Sequence, residues 1–166
     1  RLLSQGMAVP VQAGSSIREL LCGQLGIREE YLDERIQTIF LNNKAVDDLD
    51  STIVEDESTL ALSGPMPGLA GATLRRGGFF SGVRSQISYD KNMSDAQISA
   101  GKINIKLFNV VLKELGPTFL QRGVLLKATQ LDGFLSGIVN QLTDGCLSAK
   151  LNGQDFEPTK LSQIQF

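Results

Sequence analysis

The sequence predicts an α+β protein in two parts, on three observations. Residues 36–62 hold two strand patterns separated by polar turns, residues 17–25 hold an amphipathic helix ahead of them, and residues 64–78 concentrate glycine and proline. The expected division is a domain over 1–63, a Gly/Pro-rich linker over 64–78 and a smaller α+β domain over 79–166.

Ala8 to Gln12 alternates weakly between apolar and polar, and Pro10, with no amide to give a ladder, assigns that strand to an edge. Ala13-Gly14-Ser15-Ser16 turns the chain. Ser16 with Glu19 has capping-box spacing, and Ile17, Leu20, Leu21 and Leu25 form one helical stripe that Gly26 ends. A short helical turn is expected at Glu29 to Glu34. Ile36 to Leu41 is rich in β-branched and aromatic residues and runs into Asn42-Asn43-Lys44, where asparagine tolerates positive φ. Glu55-Asp56-Glu57-Ser58 is a second polar turn before the strand at Thr59 to Leu62. With a first strand at or before Arg1-Leu2-Leu3, the order is strand, strand, helix, strand, acidic turn, strand, which is that of a β-grasp sheet.

These residues also carry a resemblance over about the first half of the chain. VQAGSSIRELL, then IFLNNKAVDD, VEDESTLALSG and a glycine-rich tail, is similar to the ubiquitin-like sulfur carriers, the small subunit of molybdopterin synthase and the thiamine-biosynthesis carrier. The resemblance implies an N-terminal β-grasp (ubiquitin-like) domain. It also implies a chemistry in which a tail ending in Gly-Gly is adenylated and converted to a thiocarboxylate. Here Leu74-Arg75-Arg76-Gly77-Gly78 looks like such a tail, but more than half of the chain follows it, so no terminal carboxylate exists on Gly78 in the intact chain.

Two readings of residues 64–78 stand side by side. Pro65 and Pro67 lack amide donors and the glycines loosen the backbone, which describes an interdomain linker. Alternatively, Phe79, Phe80, Val83 and Ile87 fit a short helix whose N-terminus would present the amides of Gly77 and Gly78 beside Arg75 and Arg76, a setting that attracts phosphate or carboxylate. Phe79 and Phe80 are large apolar side chains suited to packing.

Residues 88–101 are polar and read as a loop or hairpin. Lys102 to Leu107 alternates as a strand, followed by helical spacing at Phe108, Val111, Leu112 and Leu115 up to Gly116-Pro117; a continuous helix from Ser94 is the competing reading. Thr118 to Gln121 can open a new helical turn, Gly123 to Ala128 suits a strand, and Leu131, Leu135, Ile138, Val139 and Leu142 suit a helix despite two glycines. Asn152-Gly153 is the strongest local hairpin signal.

Composition sets limits on function. The chain contains no histidine, which removes Ser-His and Cys-His nucleophile pairs and nearly all catalytic zinc sites. Cys22 and Cys146 are far apart and outside any Cys-x-x-Cys pair, so both are expected to be buried thiols. Residues 1–78 carry 7 basic against 11 acidic side chains and residues 79–166 carry 9 against 7, with only Arg75, Arg76 and Arg84 close together, so no nucleic-acid surface is expected. Asp47, Asp48, Asp50, Glu55, Asp56 and Glu57 lack EF-hand spacing and read as a solvated face that could dock a basic partner. No apolar run spans a membrane and the first residues are too short for a secretory signal, so a cytoplasmic protein is expected.

The expected function is that of a non-enzymatic protein acting through contacts with a protein partner, related to the sulfur carriers but without their terminal chemistry. No cofactor or metal is expected, and self-association is an open alternative. The second reading is an anion- or small-ligand-binding protein using Arg75, Arg76, Gly77 and Gly78.

Overall fold

A computed structural model of the protein describes residues 2–84 and 97–163, in a mixed α+β arrangement. Two compact units are distinguished, one of Leu3–Leu125 and the other of the remainder of the chain. The expected boundary at 64–78 is therefore corrected: residues on both sides of that stretch belong to one unit.

The reason lies in the sheet of the larger unit. Its strands are β1 (Met7–Ala13), β2 (Thr38–Leu41), β3 (Lys44–Ala45), β4 (Thr59–Ser63) and β5 (Ser99–Phe108), in the spatial order β1-β5-β4-β2-β3. β5 pairs antiparallel with β1, Met7 opposite Ile105, and parallel with β4, Leu60 opposite Ile105 and Leu62 opposite Leu107. A parallel pair cannot be closed by a tight turn, because the chain must return along the whole strand before pairing again. Residues 64–98 make that return. The Gly/Pro stretch is thus part of a crossover within one sheet.

The alternating patterns fix which face is buried. Met7, Val9, Val11 and Ala13 in β1, Leu60 and Leu62 in β4, and Ile103, Ile105 and Leu107 in β5 are all buried, while Pro10, Gln12 and Lys102 point away from the core. A fully buried Leu or Ile contributes on the order of 1.5–3 kcal/mol, so this face and the buried Ile17, Leu20, Leu21, Leu32 and Ile36 dominate the stability of the unit. β1 is an edge strand, and its outer edge is occupied. Ala8 exchanges both backbone hydrogen bonds with Leu125 at 3.0 and 2.8 Å, Pro10 has no amide, and the Gln12 amide donates to Gln24 Oε1 at 2.8 Å.

Several elements differ from the sequence reading. Leu2–Gln5 is a helical turn, α1, so the expected strand there is replaced by β5 as the neighbour of β1. The stripe at 17–25 forms a π-helical turn, Glu19–Gln24, entered through Ser16, whose hydroxyl accepts the Glu19 amide at 3.2 Å, and left through Gly26 at φ 68°. α2 (Glu29–Glu34) follows as expected. Ser99, Ala100 and Gly101, read as loop, extend β5, because β1 offers them partners as far as Ala13. Helix α4 (Asn109–Arg122) runs through Pro117. Buried Val111, Gly116 and Phe119 hold it on both sides of the amide that proline lacks. Gly123 to Ala128 contributes only the bridge from Leu125 to Ala8.

The smaller unit contains α5 (Ala128–Gly145) and a hairpin of β6 (Lys150–Leu151) and β7 (Gln154–Asp155). The hairpin turns at Asn152 and Gly153, with φ 52° and 81°, as that dipeptide predicts.

Candidate functional site

The crossover leaves β4 at Gly64, which has no space for a side chain: a Cβ there would stand 2.4 Å from Val110 Cγ1. It forms helix α3 (Gly68–Leu74), which folds back so tightly that a Cβ on Gly71 would meet the Met66 carbonyl oxygen at 1.6 Å. Past α3 the chain is tied down. The Arg76 amide donates to the Gln37 carbonyl at 2.8 Å, and its guanidinium donates to the Leu32 carbonyl at 3.1 Å and to Asp33 Oδ1 at 3.4 Å. The Gly77 amide donates to Asp47 Oδ1 at 3.0 Å, and the Gly78 amide to the Arg75 carbonyl at 3.1 Å. Arg84, nearly buried, donates to the same Asp47 oxygen and to the Leu74 carbonyl.

The four residues singled out from the sequence are thus brought together, but the donors of three of them, Arg76, Gly77 and Gly78, already have partners within the chain. Asp47 holds the place that an external anion would take at Gly77, and Asp33 does so at Arg76. Arg75 and Gly77 are exposed, while Arg76 and Gly78 are half-buried. The expected helix at Phe79 to Ile87 is corrected to a single 3-10 turn, Ser81–Val83, and Ile87 lies outside the described residues. The expected packing of Phe79 is corrected as well. It is 94% exposed, and its ring stands edge-on to that of Phe80, itself 39% exposed, at a centroid distance of 5.2 Å. Leu69 on α3 is also exposed. The sequence could not show this, because a Phe-Phe pair reads the same in a core and on a surface.

The acidic face divides into separate tasks. Asp48 accepts the Ser51 hydroxyl and the amides of Ser51 and Asp50, hydrogen bonds that hold its carboxyl below the usual range. Asp50 pairs with Arg18 at 2.8 Å, Asp56 accepts the Lys102 amide at 2.8 Å, and Glu57 pairs with the Lys102 ammonium at 3.3 Å. Among the described residues no group of three or more His, Cys, Asp or Glu could hold a metal ion. The two thiols also depart from expectation: Cys22 is half-buried and Cys146 is exposed. Burial pushes the Cys22 thiol up, away from the thiolate a nucleophile needs.

A second feature had no signal in the sequence. Tyr31 on α2 and Arg35 just after it reach across to α4, where Glu114 accepts the Tyr31 hydroxyl at 2.7 Å and pairs with Arg35. Desolvation and the Glu114 hydrogen bond raise Tyr31, so it stays a phenol. A cleft of about 270 Å³ opens beside this contact. Eighty-three residues separate Tyr31 from Glu114, so no local pattern could pair them.

The chain matches no family model, no curated protein and no solved structure. Within the described residues, no helix is long and apolar enough to cross a membrane.

Proposed function

We propose that this is a non-enzymatic β-grasp protein acting through protein contacts, with its crossover in the place of a sulfur carrier's tail. What supports the fold part is the sheet read cyclically. A β-grasp sheet sets its first strand at the centre, parallel to its last and antiparallel to its second. β5 stands in that relation to β4 and β1, so the strand that a β-grasp chain supplies first is here supplied last. In this reading Leu74-Arg75-Arg76-Gly77-Gly78 follows the final β-grasp strand, as a carrier tail does, but continues into the return that leads to β5. Asp47 and Arg84 then pin a segment that carrier chemistry needs free.

The observation that carries the contact function is Phe79. A phenyl ring left 94% exposed, beside a second ring and on a backbone fixed by hydrogen bonds, forgoes burial that a side chain of this size otherwise gains. Such anchors are the kind of residue that dominates interfaces, and exposed Arg75 nearby in the chain favours a partner with an apolar pocket and an acidic rim. The anion-binding alternative is less favoured, because Asp33 and Asp47 already satisfy Arg76 and Gly77.

A photo-crosslinking residue at position 79, used in cells of the native host, tests this. One partner should be captured, and Phe80→Ser should reduce that capture about tenfold while leaving the melting temperature in place. Capture that is unchanged by Phe80→Ser sinks the reading.

A further inference from the structure

We propose that the cleft between α2 and α4 binds a small aliphatic carboxylate, its chain on the apolar floor and its charge toward Arg28 and Arg122. The floor is Leu25, Ile27 and Phe119, all buried, so the interior offers apolar surface and little to hold a fully polar ligand. The rim is cationic. Arg122 donates to the Gln24 carbonyl at 2.6 Å through one nitrogen, which fixes its guanidinium at the opening with further donors to spare. Arg28, also in the lining, is exposed, and among the described residues no carboxylate pairs with it.

The one acid in the lining does not cancel this charge. Glu114 is already matched by Arg35, which stands outside the lining, and by the Tyr31 hydroxyl. The two rim arginines are therefore left in excess, and a planar guanidinium suits a carboxylate well. Size limits the chain. A cleft of about 270 Å³ lies just below the roughly 300 Å³ at which drug-sized ligand pockets begin, so it suits a short chain such as hexanoate. The cleft lies far along the chain from the Phe79 crossover, so the proposal stands independently of the contact function.

Titration of the full chain with hexanoate at neutral pH, followed by calorimetry and by chemical shifts of Tyr31 and Phe119, tests it. One saturable site is expected, with 1-hexanol and inorganic phosphate each binding at least about tenfold more weakly, since each supplies only half of the recognition. Arg28→Gln should weaken hexanoate about tenfold. Thr118→Trp, at an exposed lining position that places bulk in the opening without disturbing the core, should abolish binding. The proposal is overturned if hexanoate does not saturate, if hexanol binds as well as hexanoate, or if neither variant changes the affinity.

Discussion

Asp47 accepts the Gly77 amide at 3.0 Å, and through that single bond a residue just after β3 holds the diglycine of the crossover against the sheet domain. The same carboxylate oxygen receives Arg84, whose side chain is only 3% exposed against 36% for Asp47. One carboxylate therefore closes the crossover at two points.

Asp47→Ala should release both. It removes the carboxylate that accepts the nearly buried Arg84 guanidinium and the Gly77 amide, so a loss of about 1.5–3 kcal/mol is expected in urea unfolding. Limited proteolysis should then cut between Pro65 and Gly78 faster than in the unmodified protein. Unchanged cleavage would mean that Asp47 does not secure the crossover.

Two glycine substitutions should have opposite signs. Gly71→Ala drives a Cβ into the Met66 carbonyl and should destabilise by about 1–3 kcal/mol, because backbone must move. Gly133→Ala, on α5 with open space around it, should stabilise its helix by up to about 1 kcal/mol. Thermal unfolding of both variants checks the contrast.

Glu114 gives a pH signature. Hydrogen bonds from Arg35, then from Tyr31, lower its folded carboxyl below the ordinary glutamate value of ~4.3. A depressed folded value means that ionised Glu114 favours the fold above the unfolded value, and that this contribution is lost as pH falls through the folded one. Glu114→Gln should thus be less stable near pH 7 but converge with the unmodified protein as pH falls through the folded value. A constant difference across that range would show that the carboxylate charge is not involved.

The β1 edge can be opened by one change. Gln24 accepts the Gln12 amide and donates back to the Gln12 carbonyl at 3.0 Å. Gln24→Ala should cost no more than about 1 kcal/mol, because the site is exposed, yet speed hydrogen exchange at Gln12 while Ala8, held by Leu125, is unaffected. Equal acceleration at both amides would indicate general loosening instead.

Intact mass of the protein from its native host addresses the carrier relationship. The full chain is expected, with no fragment ending at Gly78 and no gain of roughly 16 Da there, since conversion to a thiocarboxylate requires the free terminal carboxylate that an internal Gly78 lacks.

What the sequence determined by itself was local. Asn42 and Asn43 take φ of 50° and 67° because asparagine tolerates that region, and the turn they make joins β2 to β3 wherever those strands pair. Gly26, Asn152 and Gly153 act in the same way, and Pro10 marks an edge because a missing amide is missing in any context. The alternation in Lys102 to Leu107 also stands, since a period of two settles which side chains share a face. Partners across the sheet were decided only by tertiary structure. Nothing near Leu60 names Ile105 as its neighbour, and without that parallel pairing a crossover rich in glycine and proline reads as a linker. The candidate sites follow the same division: Gly77 and Arg76 were visible as donors, but Asp47 and Asp33 occupy them from positions thirty and forty-three residues away, distances that only a folded chain closes.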